Sequence, residues 1–442
     1  MTEQTPTPLR ERIARWQLRS EFSTTTGRDS RPHAGEFVDG AARPASKTRN
    51  WKNGARRKRG KGPQPQLLNC SYWNNDRCRS CALIEQPYPE QLADKQARAE
   101  ELIESAQWLE PASSAIEVFR NKVKLVVTGT VERPRLGILG PGGKGIDLSH
   151  CPLPTPGIQQ AIGPIKDFIT ACDLVPYNPT YDHGLLKYVI ISEAPDGGLM
   201  VRFVARRRGV QGIIRKLADQ LYESLPMLQV LTLNVQPEHK AIIEGEEELT
   251  ITEAQTLPLD LFLTPGGEPQ ELHLSLRPQS FFQTNTESAE VLYTRAIEWT
   301  AGAKTAWDLY SGVGGFALAL AASEAGREVV GVETSEQAVE AARENAPEGA
   351  TFVVADATEW VTTREDRPDV VIVNPPRRGI GVDLSRWLNE SGVERIVYSS
   401  CNADSLAQDL AEMENYAVAK GQVVDMFPHT THFETIVLLE KK

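Results

Sequence analysis

The C-terminal part of the chain alternates short, apolar, β-rich runs with amphipathic segments. The runs lie at residues 305–309, 328–332, 351–354, 369–373 and 395–399. Apolar positions at helical spacing lie between most of them, as at 335–345 and 405–413,. Alternating strands and helices indicate a doubly wound, Rossmann-like parallel sheet whose ligand site lies at the carboxyl ends of the strands. We therefore predict an α/β domain over residues 279–442.

The middle of the chain has a different pattern. Strand-like runs recur at 124–130, 187–192, 199–205, 230–235, 248–252 and 271–276. Helical patterns lie among them at 157–170 and 212–225. Strands separated by turns such as Asp196-Gly197-Gly198 indicate an antiparallel sheet with helices,. We predict a smaller α+β domain over residues 116–278, preceded by a Cys-rich segment with a helix at 89–105, within residues 69–115.

The first 68 residues lack sustained periodicity and are rich in Arg, Thr, Gly and Pro, which predicts a mostly disordered extension with a short helix at 9–19,. They hold fifteen Lys and Arg against six Asp and Glu, whereas the remainder holds 33 against 53. Between Arg43 and Lys61 there are nine basic residues and no acidic one. Such a block suits phosphate contacts, and it is equally typical of a solvated tail.

Overall composition excludes several classes of protein. The net charge of −11 at first speaks against a nucleic-acid partner, but binding needs only a local basic groove,. No apolar run approaches a membrane span, and the N-terminus has no apolar signal region,. We therefore expect a cytoplasmic protein of two or three domains without a membrane partner.

A Gly-rich turn between a strand and a helix indicates a nucleotide-like ligand. It lies in WDLYSGVGGFAL at 307–318, where glycines let the backbone approach a ligand,. Glu333 ends the next predicted strand, where a carboxylate can accept bonds from ribose hydroxyls. Both features would also suit a dinucleotide. Asn374, fixed in direction by the two prolines after it, favours S-adenosylmethionine instead, because Asn-Pro-Pro in this place is typical of methyltransferases,.

Cys401 follows a predicted strand and precedes a predicted helix, beside the same crevice. A lone cysteine is most often a buried apolar side chain, but a helix N-terminus can lower the pKa of a thiol in this place. Such a nucleophile suits uracil, whose carbon 5 accepts a methyl group only after a thiolate adds at carbon 6. A base must then remove the proton from carbon 5. Glu434, His429 and His432 are the candidates.

Six cysteines are present, and three of them lie within twelve residues. Cys70, Cys78 and Cys81 have the spacing C-x7-C-x2-C, and Cys151 can supply a fourth thiol. Clustered cysteines in a large cytoplasmic chain indicate metal binding or chemistry rather than disulfides. Zinc and a [4Fe–4S] cluster both take four thiolates, and the spacing leaves the choice open. Cys172 is left over and is assigned to packing.

Several of these motifs together resemble the RNA 5-methyluridine methyltransferases in order and spacing. They are FFQTN at 281–285, DLYSGVGG at 308–315, NPPRRG at 374–379, SSCN at 399–402 and DMFPHTTHFE at 425–434. The resemblance runs from about residue 68 to the C-terminus and implies a class I methyltransferase domain. It makes Cys401 the nucleophile and Glu434 the base. It places Gln283, Tyr310, Glu333 and Asn374 around adenosylmethionine.

The same resemblance bears on the cysteines and on the substrate. It favours a [4Fe–4S] cluster at the four clustered cysteines, with zinc as the alternative. The motifs are most similar to the branch that methylates 23S ribosomal RNA, so it implies a monomer that acts on an RNA loop and not on DNA. The target uridine must be unpaired or flipped out. Phosphate contacts are expected from Arg120, Lys122, Lys124 and the run at 206–208.

Three alternatives are open or excluded on stated grounds. The same chemistry could act on a T-loop uridine of transfer RNA, because the catalytic residues would be identical. A non-catalytic RNA-binding factor with a vestigial site is disfavoured by the intact Cys401, Glu434 and Gln283. A radical iron–sulfur enzyme would need C-x3-C-x2-C spacing, which this chain lacks.

Overall fold

The computed structural model describes residues 67–240 and 242–442, whose strands form two seven-stranded sheets and one two-stranded sheet. The basic block at 43–61 and the helix predicted at 9–19 lie outside these residues. Residues 67–442 form one compact unit. No helix in the described part is long and apolar enough to cross a membrane.

The elements begin and end as follows. The helices are α1 (Ser71–Asn74), α2 (Tyr88–Leu102), α3 (Pro156–Ala171), α4 (Gln211–Ser224), α5 (Thr286–Trp299), α6 (Gly315–Ser323), α7 (Glu336–Glu344), α8 (Ala357–Thr362), α9 (Gly381–Ser391) and α10 (Ala403–Ala411). The strands are β1 (Lys122–Gly129), β2 (Pro134–Leu139), β3 (Gly145–Asp147), β4 (Leu186–Glu193), β5 (Leu199–Ala205), β6 (Leu228–Val235), β7 (Glu247–Thr250), β8 (Leu257–Leu263), β9 (Gln270–Leu276), β10 (Thr305–Leu309), β11 (Glu328–Glu333), β12 (Ala350–Val354), β13 (Val370–Val373), β14 (Arg395–Ser400), β15 (Tyr416–Val424) and β16 (Glu434–Lys441).

The central sheet has the order β3-β2-β1-β4-β5-β6-β7 and is antiparallel except between β5 and β6. Helices α3 and α4 contribute apolar residues to its core, including Ile158, Ile165 and Ile214. Cys172 is buried in the same core, as its assignment to packing requires. The α+β architecture predicted for this part of the chain is confirmed.

The run at 271–276 does not belong to that sheet, contrary to prediction. It forms β9, which pairs with β8 in a separate hairpin. Alternate side chains of the hairpin, such as Leu259, Leu261 and Leu274, enter the core built around α5 and α6. Alternation revealed the strand, but the pattern of one strand does not identify its pairing partner.

The C-terminal sheet has the order β12-β11-β10-β13-β14-β16-β15. Its first five strands are parallel, and β16 and β15 are antiparallel additions at one edge. All four residues of β13 are buried, as expected of a central parallel strand covered on both faces,. The predicted Rossmann-like domain is confirmed, with two edge strands that were not predicted.

Local capping fixes where its helices begin. Asn285 caps α5 by accepting a hydrogen bond from the Ser288 amide, and Ser335 caps α7 through the Ala338 amide,. Gly314 begins α6 with φ 86°, a left-handed conformation that glycine adopts without strain,. These starts bring the turns before each helix to the carboxyl edge of the sheet.

Candidate active site

Four segments converge at the carboxyl edge of the C-terminal sheet. Tyr310, Asn374 and Cys401 directly follow the parallel strands β10, β13 and β14. Glu434 begins β16, whose antiparallel register pairs Ser400 with Thr435, so the carboxyl side chain lies at the same edge. Tyr310 has φ 69°, a left-handed backbone that is uncommon for residues other than glycine and that clusters at functional sites,.

Glu434 is a buried carboxyl group with two hydrogen-bond donors. Ser399 Oγ donates to its Oε1 at 2.7 Å, and Asn374 Nδ2 donates to the same oxygen at 3.2 Å. Burial raises the pKa of Glu434 to about 7, although both hydrogen bonds oppose that shift. A carboxyl group that titrates near neutral pH has the property that a general base needs.

Cys401 is half-buried between groups of opposite charge. Burial raises the pKa of its thiol, and the nearby Glu434 carboxylate raises it further. The positive charge of the nearby Arg377 guanidinium opposes both effects. The net shift of the thiol pKa is upward, because loss of solvent and the neighbouring carboxylate outweigh the charge of Arg377,. Sequence pattern indicated neither Arg377 nor Ser399 as a neighbour of the catalytic pair.

Glu333 and the Gly-rich turn lie next to each other on the other side of β10. The Glu333 carboxylate accepts bonds from the Gly312 amide at 3.1 Å and the Ser335 amide at 2.9 Å, which fixes its direction. A Cβ atom added to Gly312 would have no neighbouring atom within 4 Å. A ligand can therefore approach the backbone closely at Gly312.

Gln283 lies in a loop that is tied to the start of the central domain. Its carbonyl oxygen accepts a bond from Asn121 Nδ2 at 3.0 Å, and the Asn121 amide donates to Thr284 at 3.0 Å. The neighbouring Phe281 is 65% exposed, whereas Phe282 is buried. The segment 281–285 is thus hydrogen-bonded to the residue that directly precedes β1.

The two histidines considered as bases differ in their surroundings. His429 is fully buried, its Nε2 lies 2.6 Å from the Ile116 carbonyl and its amide donates to Gln91 at 2.9 Å. These hydrogen bonds hold the loop before β16 in place, so His429 has a structural role. His432 is exposed, and its Nδ1 lies 2.7 Å from Arg377 Nη2. Of the three candidates, only Glu434 acts electrostatically on the Cys401 thiol.

Cys70, Cys78 and Cys81 belong to a small apolar group that includes Leu68, Tyr72 and Ile84, and Cys151 lies close to Cys81. Burial raises the pKa of Cys81 to about 12, and Cys151, Cys78 and Cys70 each raise it further through electrostatic repulsion. The thiols are free. In residues 67–240 and 242–442, no three His, Cys, Asp or Glu side chains are arranged to hold a metal ion. The cysteines are thus neighbours without a preformed coordination geometry.

Most basic residues proposed as phosphate contacts already have partners in the chain. Arg206 pairs with Asp182 at 2.9 Å, Arg208 with Glu247 at 3.1 Å and Lys124 with Glu244 at 2.7 Å. Lys122 donates to the Ser280 carbonyl at 3.2 Å, and burial lowers its pKa to about 8.

Arg120 is less exposed than a phosphate contact would be. It is half-buried next to Cys151 and Cys81, and burial lowers the pKa of its guanidinium. The sequence could not show these surroundings, because each partner lies far away along the chain.

Two family models match the C-terminal half of the chain. The model described as tRNA (Uracil-5-)-methyltransferase matches residues 363–442, and the Methyltransferase small domain model matches residues 274–387. The first range contains Asn374, Cys401 and Glu434, and the second contains Gln283, Tyr310 and Glu333.

Full-length relatives extend the likeness over most of the chain. The 23S rRNA (uracil(747)-C(5))-methyltransferase RlmC of Yersinia enterocolitica is 40% identical over 384 residues, 85% of this chain and 100% of the relative. The protein of the same name from Serratia proteamaculans is 41% identical over 382 residues, covering 84% and 99%. A solved structure, the tRNA (uracil-54, C5)-methyltransferase of Pyrococcus abyssi in complex with S-adenosyl-L-homocysteine, is 27% identical with a TM-score of 0.67, covering 81% of this chain and 85% of that one.

Proposed function

The chain belongs to the RNA (uracil-C5)-methyltransferase family of these relatives, and we propose that it methylates carbon 5 of one uridine in 23S ribosomal RNA, the counterpart of uracil 747. The observation that carries the proposal is the pairing of Cys401 with the buried carboxyl group of Glu434 at one edge of the sheet. A nucleophilic thiol beside a base of raised pKa is the machinery that this substitution requires.

Each of the two residues has a separate part in the reaction. The Cys401 thiolate forms a bond to carbon 6, which sends the electron pair of the 5,6 double bond toward oxygen 4 and makes carbon 5 nucleophilic. Carbon 5 then takes the methyl group. Glu434 removes the remaining proton from carbon 5, the double bond forms again and the carbon–sulfur bond breaks, which returns Cys401 as thiolate. Asn374 and Ser399 hold the Glu434 oxygen in place through their hydrogen bonds.

S-Adenosylmethionine, when bound, supplies the methyl group. The residues present fit it, because Gly312 borders open space and the Glu333 carboxylate has a fixed direction at the end of β11. We assign Gln283, Tyr310, Glu333 and Asn374 to its site. Asn374 also contacts Glu434, so it lies where the donor and the base must meet.

For Cys70, Cys78, Cys81 and Cys151 we propose a [4Fe–4S] cluster, with zinc as the alternative ligand. Four soft thiol donors, three of them within one apolar group, fit either metal,. Burial, and after it repulsion by the other three groups as thiolates, raises the pKa of Cys81. The uracil chemistry requires no electron transfer, so we assign the metal a structural role. Iron and sulfide analysis of anaerobically purified protein distinguishes the two metals.

The test of the function is methyl transfer from labelled adenosylmethionine to total bacterial RNA, followed by mapping of the modified nucleotide. We expect 5-methyluridine at a single site in a 23S loop. Label in transfer RNA instead would keep the chemistry and reject the ribosomal substrate. No label on any RNA, from protein with its metal intact, would favour the non-catalytic RNA-binding factor.

Glu434→Gln provides a second test of the assigned roles. The amide keeps the shape of the side chain but cannot accept the carbon-5 proton, so the enzyme should form the covalent RNA adduct and fail to release it. Denaturing electrophoresis of enzyme with labelled RNA shows such an adduct as a shifted protein band. Normal turnover by this variant would contradict the assignment of Glu434 as the base.

A further inference from the structure

Arg377 lies between the nucleophile and an exposed histidine. It belongs to the loop after β13, and its guanidinium is close enough to Cys401 to lower the pKa of the thiol. Its Nη2 lies 2.7 Å from Nδ1 of His432. Its carbonyl oxygen accepts a bond from Asn402 Nδ2 at 3.0 Å, which fixes the backbone of the loop next to the nucleophile. The Arg377 side chain is therefore the link between His432 and the sulfur of Cys401.

The direction of the hydrogen bond defines the state of the histidine. A guanidinium group has only donors, so Nδ1 of His432 must be an unprotonated acceptor. Burial and the positive charges of Arg377 and Lys95 lower the pKa of His432, which is consistent with a neutral ring. Phe427 packs against the imidazole edge-on, with ring centroids 6.5 Å apart, and so fixes its orientation.

We propose that His432 is a positioning residue that accepts a hydrogen bond from Arg377 and thereby keeps the guanidinium near Cys401. The inference rests on the proposed function, because it assumes that Cys401 is the nucleophile. The groups that face the sulfur are Glu434, which disfavours a thiolate, and Arg377, which favours it. If the guanidinium moved away, only the Glu434 carboxylate, which disfavours a thiolate, would remain near the thiol.

Reactivity of Cys401 in the free enzyme tests the inference without methyl transfer. The rate of alkylation by iodoacetamide, followed by mass spectrometry of the peptide that contains Cys401, is measured from pH 6 to pH 10. His432→Ala should slow alkylation at pH 7 by roughly twofold to fivefold, because both side chains are exposed in the free enzyme and the bond is correspondingly weak. His432→Asn should restore the wild-type rate, since Asn Oδ1 offers an acceptor close to the position of Nδ1.

A double-mutant cycle distinguishes positioning from an independent effect. Arg377→Gln should slow alkylation at least as much as His432→Ala, and adding His432→Ala to Arg377→Gln should slow it no further. An equal slowing by His432→Ala in both backgrounds would overturn the inference. So would a His432→Asn enzyme that alkylates normally but cannot methylate RNA, since His432 would then carry a proton. Failure of wild-type methylation would reject the proposed function and leave the alkylation result to decide the role of His432.

Discussion

Cys401 and the four clustered cysteines belong to the same compact unit, but different groups surround their thiols. Cys401 is half-buried and faces Arg377 and Glu434, whereas Cys81 has three other thiols around it and Arg120 nearby. A thiol opposite one cation and one base can be deprotonated and then released from a product. Thiols whose ionised forms would repel one another stay protonated unless a bound cation compensates their charge,. The neighbours of a cysteine, more than its own burial, thus indicate its chemistry.

The two regions are joined through α2. Gln91, which is fully buried, donates to the carbonyl oxygens of Leu83 at 2.9 Å and Gln86 at 2.8 Å, in the segment that follows Cys81. The same side chain accepts from the His429 amide at 2.9 Å. One turn further along, Lys95 forms a buried ion pair with Asp425 at 2.7 Å. The loop that leads to Glu434 is therefore held by the helix that follows the cysteine segment.

Exchanging one sulfur in each region should give the largest contrast. We expect Cys401→Ser to lower methyl transfer by on the order of 10³-fold or more, because the serine hydroxyl is a far weaker nucleophile. Its metal content and melting temperature should remain those of the wild type. Cys81→Ser should lose metal and melt at a lower temperature. Activity, metal analysis and thermal unfolding are measured on both variants.

Cys172→Ala is the matched control for this pair, since Cys172 is buried in the core of the central domain and belongs to neither group. It should keep both metal and methyl transfer, with a small loss of stability. Metal loss in Cys401→Ser, or full metal content in Cys81→Ser, would contradict the division between the two regions.

The charge balance around Cys401 can be shifted through Asn374. Glu434 has a pKa of about 7, so the carboxylate that acts as base forms as pH rises through 7 and is lost below it. Asn374→Asp would place a second carboxyl group within hydrogen-bond distance of Glu434, and two buried carboxyls that share a proton raise the pKa of one of them,. We expect methyl transfer at saturating donor to fall roughly tenfold at pH 7 and to recover toward pH 9.

Asn374→Ala serves as the control, because it removes the donor but adds no charge. Its pH profile should move upward less than that of Asn374→Asp. Identical alkaline shifts in the two variants would show that the lost hydrogen bond, and not the added carboxyl group, sets the profile. An unchanged profile in Asn374→Asp would contradict the assignment of the titrating base to Glu434.

The sequence predicted the strands that carry the site more accurately than the surroundings of the side chains. The run at 305–309 is β10 to the residue, and 395–399 matches β14 within one residue. The neighbours of Glu434 were not predicted, because Ser399 and Asn374 lie 35 and 60 positions away and meet it only through the sheet register. The same holds for Arg120, whose contact with the thiols depends on how the central domain packs.

The smallest expected effect tests the connection between the two regions. Gln91→Leu would leave the buried His429 amide without this partner, which costs about 1–3 kcal/mol, and would remove one donor from the half-buried carbonyl oxygens of Leu83 and Gln86,. The melting temperature should fall by several degrees, and methyl transfer should fall roughly twofold to threefold as the loop before Glu434 loosens. Hydrogen exchange at the His429 amide is the direct measurement and should become faster.

Gln96→Leu is the control on the same helix, because among the residues that the structure describes the Gln96 amide group bonds only Glu100, at 2.7 Å and one turn along α2. It should change neither the exchange of the His429 amide nor methyl transfer. If Gln91→Leu exchanged that amide at the wild-type rate, the two regions would be independent in spite of the bonds between them. If exchange and metal content changed together, the cysteine segment would support the catalytic loop through Gln91, and the two groups of thiols would be coupled parts of one enzyme.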